Sequence, residues 1–333
     1  MRLSALPDPS PPGRGEVLVR TLRVGICGTD LHAYAGRQPM IRYPLVPGHE
    51  LAVEVEAVGE PAGAFTSETS LRPGDLCTVV PYLADGTCHA CRRGLSNCCH
   101  TLRVLGVHVD GGMRTRLLLP ATSLIRATGL SADEAALTEM LAISLHAVKR
   151  AAITSPDSVV VVGTGPIGLG CLAFATRITN RVAAVDSDPD RLAAAQVTSG
   201  AAAFAPDGSL PERLAEHFGG HLPTVVIDAT GSAAAMASSL QLAAHGARIV
   251  YVGHTGAELR LSNPLIHQRE LTICASRNAT KEDFAEVLTA LADGGLSATD
   301  WITHRVKPNE LPAALESWTL GLGRPTKAIL EMA

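Results

Sequence analysis

The chain has few aromatic residues for its length. Phe, Trp and Tyr make up 3% of the 333 residues, whereas hydrophobic residues as a whole make up 46%. A core built on large rings is therefore excluded, and Ala, Val, Leu and Ile must fill the interior, which suits a parallel α/β architecture. A chain of this length is predicted to form two domains, at roughly 150 residues for each.

An excess of charge of either sign is also absent. The formal net charge is -4, which gives no electrostatic footprint for nucleic acid or for an anionic membrane surface. Residues 1–20 are rich in proline and lack the apolar run of a secretory signal, so we expect a cytoplasmic protein. The uncharged stretch from Ser158 to Thr176 contains several glycines and Pro166, which favour a strand, a turn and a helix over a membrane span.

The hydrophobic pattern changes near residue 125. Before it, short β-like runs are broken by Gly and Pro, which indicates an irregular all-β region. After a helical pattern over Ala132 to Ala152, strands alternate with alanine-rich helices, which predicts βαβ units on a parallel sheet. The predicted strands of the two regions are Glu16 to Arg20, Leu51 to Val58, Leu76 to Val80 and Arg114 to Leu119, then Ser158 to Val162, Val182 to Asp186, Thr224 to Asp228, Arg248 to Val252 and Leu271 to Ser276.

A glycine-rich loop follows the first strand of the second region. Gly163, Gly165 and Gly168 form G-x-G-x-x-G with Pro166 and Ile167 between the last two, directly after four valines and directly before a helix. The first glycine permits a tight turn, the second lets backbone N-H groups approach a pyrophosphate, and the third allows close packing of helix on strand. Asp186 ends the next strand, where an acidic side chain would bind the adenosine ribose hydroxyls. We therefore predict NAD rather than NADP, because Asp186 and Asp188 would repel a 2′-phosphate; the alternative is a glycine-rich turn that binds no nucleotide.

Eight cysteines in a cytoplasmic chain are better explained as metal ligands or buried thiols than as disulfides. Near the N-terminus, Cys27 precedes a Gly-His-Glu run that contains His49 and Glu50. Thiolate, imidazole and carboxylate are ligand types that zinc accepts, and three of them with an open fourth position suit a catalytic site. Taken singly, each has a simpler explanation, as a buried thiol, a turn histidine or a surface carboxylate.

The order of these motifs resembles that of zinc-containing medium-chain dehydrogenases/reductases. Cys-Gly-Thr-Asp-Leu-His, Gly-His-Glu, a cysteine-rich lobe and Gly-Thr-Gly-Pro-Ile-Gly follow one another along nearly the whole chain. The similarity is closest to the polyol branch, which includes sorbitol, threonine and sugar-acid dehydrogenases. It implies an α/β fold with two domains. Residues 1–151 would form a GroES-like β catalytic domain, which contains a zinc lobe at about 82–104. Residues 152–276 would form a Rossmann NAD-binding domain with a doubly wound parallel sheet, and residues 277–333 would return to the catalytic domain.

The resemblance also implies a catalytic zinc site. Cys27 and His49 match the constant ligands, while either Glu50 or Glu139 matches the third; Glu139 is followed by Met140, where many polyol enzymes have proline. By the same resemblance Thr29 and His32 form a proton relay for the alcohol. Asp30 is expected to orient the imidazole of His49, since metal-bound histidines usually need such a partner.

A structural zinc is implied in the cysteine-rich lobe. The family frame of four cysteines falls on Asp85, Cys88, Cys91 and Cys99, so a carboxylate stands in the first position. A carboxylate is an accepted zinc ligand, which permits a site of three thiolates and Asp85. Two alternatives stay open: Cys98, His89 or His100 completes the site, or the lobe has lost its metal.

The remaining implications concern the cofactor, the assembly and the reaction. Further cofactor contacts are expected at Arg191, Val252, Gly253, Ser276 and Arg277. The predicted function is zinc-dependent transfer of a hydride between NAD and a secondary alcohol of a polyol, sugar acid or related hydroxy compound, in a homodimer or homotetramer. Two alternatives are a zinc-free quinone or enone reductase of the same fold and a non-catalytic nucleotide-sensing regulatory protein. Against the family pattern the chain begins about twenty residues late, which leaves two alternatives open: the start is misassigned, or the β domain has an open edge.

Overall fold

The computed structural model describes residues 1–38, 40–61 and 71–332. The strands, in chain order, are β1 Glu16–Ile26, β2 Glu50–Val58, β3 Leu76–Val79, β4 Tyr82–Leu83, β5 Arg103–Val104, β6 Arg116–Pro120, β7 Leu124–Arg126, β8 Val159–Val162, β9 Val182–Val185, β10 Ala202–Phe204, β11 Val225–Asp228, β12 Arg248–Tyr251, β13 Thr272–Ala275, β14 Ile302–Val306 and β15 Lys327–Glu331. The helices are α1 Gly28–Tyr34, α2 His89–Arg92, α3 Ala132–Ala151, α4 Pro166–Ala175, α5 Pro189–Ser199, α6 Leu210–His217, α7 Ala233–Ser238, α8 Asn263–Arg269, α9 Lys281–Ala292 and α10 Leu311–Thr319. Short 3-10 turns cover Ser96–Cys98, Ala121–Ser123, Ser239–Leu242 and Thr299–Trp301.

The chain divides into two compact units. The first comprises Met1–Glu139 together with Thr280–Ala333, and the second comprises Met140–Ala279. The first boundary therefore falls inside α3, earlier than the expected division after residue 151. The second falls slightly later than the expected division after residue 276, because the residues that follow β13 stay with its sheet.

The first unit is a β domain. Its main sheet has seven strands in the order β14-β15-β1-β2-β3-β7, with β6 also paired to β1. All pairs in this sheet are antiparallel except β14 with β15. The alternating apolar residues of β1 and β2, such as Val17, Val19, Val53 and Val55, are buried in one core. This agrees with the irregular all-β region predicted from the sequence.

The register of the central strands brings three distant segments together. Gly25 of β1 lies opposite Glu50 of β2 on one side and opposite Ile329 of β15 on the other. Cys27 follows β1 directly, and Lys327 begins β15. The end of β1, the start of β2 and the start of β15 therefore meet at one place in the sheet.

The second unit is a doubly wound parallel sheet. Its six strands have the order β10-β9-β8-β11-β12-β13, and every neighbouring pair is parallel. This is the strand order of a dinucleotide-binding Rossmann domain, with the first strand at the point where the order reverses. Small side chains such as Ala183 and Ala184 are fully buried. Aliphatic residues make up most of this core, as predicted, although Phe218 and Tyr251 also belong to it.

The stretch from Ser158 to Thr176 folds as β8, a turn and α4. Within the part of the chain that the structure describes, no helix combines the length and the apolar character that crossing a bilayer requires.

Candidate active site and metal centres

Three potential zinc ligands converge where β1, β2 and β15 meet. The donor atoms of Cys27, His49 and Glu50 all lie within 4.8 Å of one another. His49 and Glu50 are 6% and 1% exposed, while Cys27 is half-buried at the N-cap of α1. The structure therefore brings together residues that lie more than twenty positions apart in the sequence, as zinc ligation requires.

The imidazole of His49 has an unsatisfied polar atom. Its Nδ1 is buried without a hydrogen-bond partner, and so is Oδ1 of Asp30. The other Asp30 oxygen, Oδ2, accepts a 2.9 Å hydrogen bond from the backbone N-H of Cys27. Burial by itself would lower the pKa of His49, but the charge of Asp30 and a contact with Cys27 outweigh it and raise the pKa. A buried ring nitrogen without a hydrogen-bond partner can bind a metal ion, and a bound cation would hold the ring in its neutral form in place of the proton.

Glu50 is held by a buried lysine. Its Oε2 forms an ion pair with Nζ of Lys327, which also donates a 3.3 Å hydrogen bond to the carbonyl of Ile26. Gly25 makes room for this carboxylate, because a Cβ at that position would lie 1.9 Å from Glu50 Oε2. Glu50 therefore has a fixed cationic partner of its own beside the other two ligands.

Glu139 lies close to this cluster but has a different partner. It is 2% exposed, and its Oε1 accepts a 2.5 Å hydrogen bond from the hydroxyl of Tyr82. Burial raises the pKa of Glu139 to about 7; the charge of Glu50 acts in the same direction, whereas His49, Tyr82 and Lys327 oppose it. These charge interactions place Glu139 beside His49 and Glu50, as an additional carboxylate available to a cation.

Thr29 and His32 lie on α1, the helix that begins directly after Cys27. They are three residues apart and therefore share one face of the helix. Thr29 is half-buried and His32 is exposed, so this face leads from the metal ligands toward solvent. Burial, followed by the charges of Arg37 and Arg324, lowers the pKa of His32.

The second predicted metal centre is also assembled. The ligand atoms of Asp85, Cys88, Cys91 and Cys99 lie within 4.8 Å of one another. Cys88 caps α2, and its sulfur lies 3.5 Å from that of Cys91. Cys98 is exposed and, like His89 and His100, is outside this group. The four positions of the family frame are therefore the four that meet.

Asp85 also organises the loop around it. Its Oδ1 accepts hydrogen bonds from the backbone N-H groups of Thr87 and Cys88, at 2.7 and 2.8 Å, and its Oδ2 accepts one from the hydroxyl of Thr101 at 2.6 Å. The Thr101 bond is the largest of several that lower the pKa of Asp85. The carboxylate is therefore ionised, and Oδ2, which accepts one hydrogen bond, retains a lone pair for a cation.

The thiols of the lobe differ in acidity. Hydrogen bonds from the backbone of Cys91 and His100 lower the pKa of Cys88 to about 7. Burial and the neighbouring sulfurs raise the pKa of Cys91 to about 12. This donor set fits a metal cation. Thiols bind a metal as thiolates, and the positive charge of the metal would allow the less acidic thiols to lose their protons as well.

The glycine-rich loop has the geometry that dinucleotide binding needs. Gly163 adopts φ +87°, and a Cβ on Gly168 would lie 1.8 Å from the carbonyl oxygen of Gly163. Gly165 precedes α4 and has open space where its Cβ would be. The turn, the tight packing and the open approach therefore fall on the three glycines in the order expected from the sequence.

Asp186 is tied to this loop. Its Oδ2 accepts hydrogen bonds from the backbone N-H and the hydroxyl of Thr164, at 2.7 and 3.1 Å, and its Oδ1 accepts one from Asp188 N-H at 3.0 Å. Asp188 caps α5, where Arg191 lies in the first turn. The acidic residue at the end of β9 is thus held beside the loop, where an adenosine ribose binds in Rossmann domains.

The other predicted cofactor contacts follow the last two strands of this sheet. Val252 and Gly253 come after β12, and their N-H groups both donate to the carbonyl of Asp228. A Cβ on Gly253 would lie 2.2 Å from the nitrogen of Gly231. Ser276 and Arg277 follow β13, with Ser276 Oγ buried and without a partner. All of these residues lie at the carboxyl edge of the sheet, the edge where such folds bind ligands.

Two functional residues escaped the sequence reasoning. Lys327 directly precedes the apolar residues Ala328, Ile329 and Leu330 of one strand. A charged residue in an apolar strand indicates a buried partner of opposite charge, and this could have identified Lys327. Tyr82 gave no signal, because its partner Glu139 lies 57 positions away.

Comparisons with known proteins agree with this geometry. The alcohol dehydrogenase GroES-like domain model matches residues 13–129, and the zinc-binding dehydrogenase model matches residues 166–293. The chain is 41% identical over 295 residues to the L-galactonate-5-dehydrogenase of Escherichia coli (strain K12), covering 88% of this chain and 85% of the relative. It is 31% identical over 304 residues to the D-altritol 5-dehydrogenase of Agrobacterium fabrum (strain C58), covering 89% and 87%.

A solved structure is similar over nearly the full length. The NADH complex of rspB from E. coli CFT073, described as a short chain alcohol dehydrogenase, superimposes with a TM-score of 0.87 at 31% identity and covers 98% of this chain and 94% of that one. The two domain models, the strand orders and the clustered ligands agree with one another along the chain. By these similarities the chain belongs to the zinc-containing medium-chain dehydrogenases/reductases, the alcohol dehydrogenase superfamily.

Proposed function

We propose that this protein is a zinc-dependent, NAD-linked dehydrogenase that oxidises a secondary alcohol of a polyol, a sugar acid or a related hydroxy compound. The observation that carries this proposal is the buried group of Cys27, His49 and Glu50, whose donor atoms lie within 4.8 Å of one another. A zinc-free reductase would have no use for these three ligands together. A nucleotide sensor would have no use for Thr29 and His32 beside them.

Cys27, His49 and Glu139 are the proposed ligands of the catalytic zinc. Glu50 already has a buried ion pair with Lys327, whereas among the described residues the hydroxyl of Tyr82 is the hydrogen-bond partner of Glu139 and no ion pair is formed. Binding of zinc by Glu139 would cost less free energy, because Glu139 would give up a hydrogen bond from Tyr82, whereas Glu50 would give up a buried ion pair. When bound, zinc would lower the pKa of the substrate alcohol as a Lewis acid.

The proton of the alcohol is proposed to leave along α1. The hydroxyl of Thr29 accepts a hydrogen bond from the substrate alcohol, and His32, on the same helix face and exposed, delivers the proton to water. The lowered pKa of His32 keeps its imidazole neutral near pH 7, so that it can accept this proton. NAD would take up the hydride.

NAD is favoured over NADP by the charge at the end of β9. Asp186 and Asp188 are both acidic, and Asp186 Oδ2 is held by Thr164 at the glycine-rich loop. A 2′-phosphate at this position would face these carboxylates, and the nearby Arg191 already has its Nε 3.9 Å from Asp188. Val252, Gly253, Ser276 and Arg277 remain predicted cofactor contacts.

The lobe is proposed to hold a second, structural zinc through Asp85, Cys88, Cys91 and Cys99. All eight cysteines are free thiols, which suits a reducing compartment such as the cytoplasm. A homodimer or homotetramer is also proposed. It is supported by β13, an edge strand of the second sheet whose side chains are only partly covered, and unpaired edges of this kind tend to be covered in natural proteins.

The test follows NADH formation with a panel of secondary alcohols. The named relatives suggest L-galactonate and D-altritol as the first compounds, followed by sorbitol, L-threonine and 2,3-butanediol. We expect activity that is lost with a chelator and restored with zinc. Thr29→Val should lower kcat by roughly a hundredfold, and Thr29→Ser, which retains the hydroxyl, should retain most of it.

A protein that contains zinc and binds NAD but reduces NAD with none of these compounds would contradict the proposed substrate class. A preparation that is active with full kcat after zinc removal, or in the Cys27→Ala variant, would contradict the proposed mechanism.

A further inference from the structure

Two arginine side chains and an imidazole gather at the far end of α1. His32 lies in its last turn, and the backbone N-H of Arg37 donates a 2.8 Å hydrogen bond to the carbonyl of His32. Arg324 follows α10, which packs against α1, and its Nε donates to the carbonyl of Trp318 at 3.0 Å. Both guanidinium groups are close enough to His32 to affect its imidazole electrostatically. We call His32, Arg37 and Arg324 the cationic cluster.

The cluster lies near the predicted metal ligands of the same unit. His32 is five residues along α1 from Cys27, a rise of about 7.5 Å. Arg324 is three residues from Lys327, at most about 10 Å along an extended chain, and Lys327 contacts Glu50. A substrate whose carbinol reached the metal ligands and the face of Thr29 could therefore place a group several carbons away on the cluster.

The positive charge of the cluster is not neutralised by the protein. Within residues 1–38, 40–61 and 71–332, neither Arg37 nor Arg324 forms an ion pair. Arginines in the main sheet of the same unit do, since a carboxylate lies within 4.0 Å of each of Arg20, Arg23, Arg116 and Arg305. Arg37, Arg324 and His32 are all exposed. Two guanidinium charges near one imidazole, with no carboxylate paired to either of them among the described residues, produce a positive potential that favours a bound anion.

We propose that Arg37 and Arg324, together with His32, form a subsite for a terminal oxyanion of the substrate, which selects anionic sugar derivatives over neutral polyols. This inference rests on the proposed function, because it concerns the substrate of the same site. Arginine suits the task, because its planar fork binds carboxylate or phosphate oxygens in pairs. A neutral alditol offers only a hydroxyl at that place and leaves the two charges uncompensated.

The test compares compounds that differ only in the terminal group. L-galactonate carries a carboxylate, galactitol has the corresponding alcohol, and galactitol 1-phosphate carries a phosphate. Steady-state kinetics with NAD are measured for the wild type, Arg37→Gln, Arg324→Gln and the double variant. Arg72→Gln serves as the matched control, because Arg72 is an exposed arginine of the same unit that lies outside both groups of metal ligands and forms no ion pair among the described residues.

We expect the double variant to raise KM for L-galactonate at least tenfold more than KM for galactitol and to leave KM for NAD within twofold of the wild type. Any change of kcat that acts through the pKa of His32 should be the same for both compounds. Arg37→Lys and Arg324→Lys should recover part of the loss, since they keep the charge but not the fork. Added salt should lower kcat/KM for L-galactonate more than for galactitol. If galactitol 1-phosphate is the better substrate and depends on the same arginines, the oxyanion is a phosphate.

Equal losses for L-galactonate and galactitol, or no loss for either anion, would overturn the subsite. So would a rise in KM for NAD alone, because the arginines would then serve the cofactor phosphates. If the zinc-loaded protein oxidises none of the three compounds, the proposed function fails while the subsite is still tested. Calorimetric titration of L-galactonate and galactitol 1-phosphate into the NADH-bound protein must then show binding that Arg37→Gln and Arg324→Gln weaken, and absence of such binding overturns it.

Discussion

Lys327 and Glu50 form an ion pair in which the side chains are only 1% and 2% exposed. The two residues come from opposite ends of the chain, and strand β1 lies between them in the sheet. A buried pair of this kind contributes little net stability compared with apolar residues, but removal of one partner leaves a buried, uncompensated charge. The first unit is therefore stable only when β15 is paired with β1, because this pairing brings the Lys327 charge to Glu50.

Lys327→Met should destabilise the protein by about 3 to 5 kcal/mol, because Glu50 loses its only described cationic partner. Urea unfolding at pH 7 measures the change. The double variant Lys327→Met with Glu50→Gln removes both charges and should recover most of the loss. A double variant as unstable as the single one would show that packing of the lysine stem, and not charge, is responsible.

Gly25→Ala should also disturb Glu50. The added methyl would lie 1.9 Å from Glu50 Oε2 and 2.9 Å from its Cβ, so the carboxylate has to leave its position beside Lys327. We expect a loss of stability of about 2 kcal/mol, typical of overpacking in a core, together with at least tenfold lower activity. Gly28→Ala is the matched control, since no atom lies within 4 Å of its Cβ and alanine is favoured in a helix; an equal loss there would contradict the steric explanation.

The sequence predicted those parts of the site that depend on local pattern. The glycine loop, Asp186 and five of the six parallel strands were predicted from local spacing, because each glycine has a steric reason that acts within a few residues. Strand β10, Ala202–Phe204, was not predicted. The zinc lobe was placed on positions 85, 88, 91 and 99 by the family resemblance, and the structure assembles four ligand atoms there. Local chemistry alone specified the ligand types but not which four residues meet.

Contacts between distant strands were beyond such reasoning. Strand β1 was expected to end at Arg20 and instead extends to Ile26, because β2, β6 and β15 all pair with it. The same pairing brings Lys327 to Glu50, which no spacing rule could indicate. The orientation expected for His49 also differs, since Asp30 bonds the Cys27 N-H through one oxygen while its other oxygen and His49 Nδ1 have no partner.

The purified protein should release two zinc ions per chain on denaturation. Asp85→Ala should lower this to one and also loosen the lobe, because Thr87, Cys88 and Thr101 each lose a hydrogen-bond acceptor. Asp85→Cys should keep two, with slower release to a chelator, since a fourth thiolate is a softer ligand. A wild type that releases one zinc ion, rising to two in Asp85→Cys, would show that the lobe has no metal.

We predict that ionised Asp157 stabilises the second unit, so that its free energy of unfolding decreases at acidic pH. It is 9% exposed and joins the starts of three parallel strands, since it precedes β8 and contacts Thr224 before β11 and Arg248 in β12. Burial opposes ionisation, but hydrogen bonds from Thr224, Thr154 and Arg248 outweigh it and lower the pKa from 3.8 to about 2. A lowered carboxyl pKa stabilises the folded state above the unfolded pKa, and this contribution is lost as the pH falls from about 4 through about 2.

The lowered pKa of Asp157 corresponds to about 2 kcal/mol of folding free energy without screening. Solvent screening of its ion pair with Arg248 reduces this contribution to about 1 kcal/mol. Asp157→Asn should therefore be less stable than the wild type by about 1 kcal/mol at pH 7 and about equally stable at pH 2, in urea titrations at both values. Asp207→Asn is the matched control, because Asp207 is also bonded to a serine and an arginine of this unit but joins no strands. A constant difference between wild type and Asp157→Asn from pH 7 to pH 2 would show that the carboxylate acts through shape and hydrogen bonding alone, and that its charge does not stabilise the junction of the three strands.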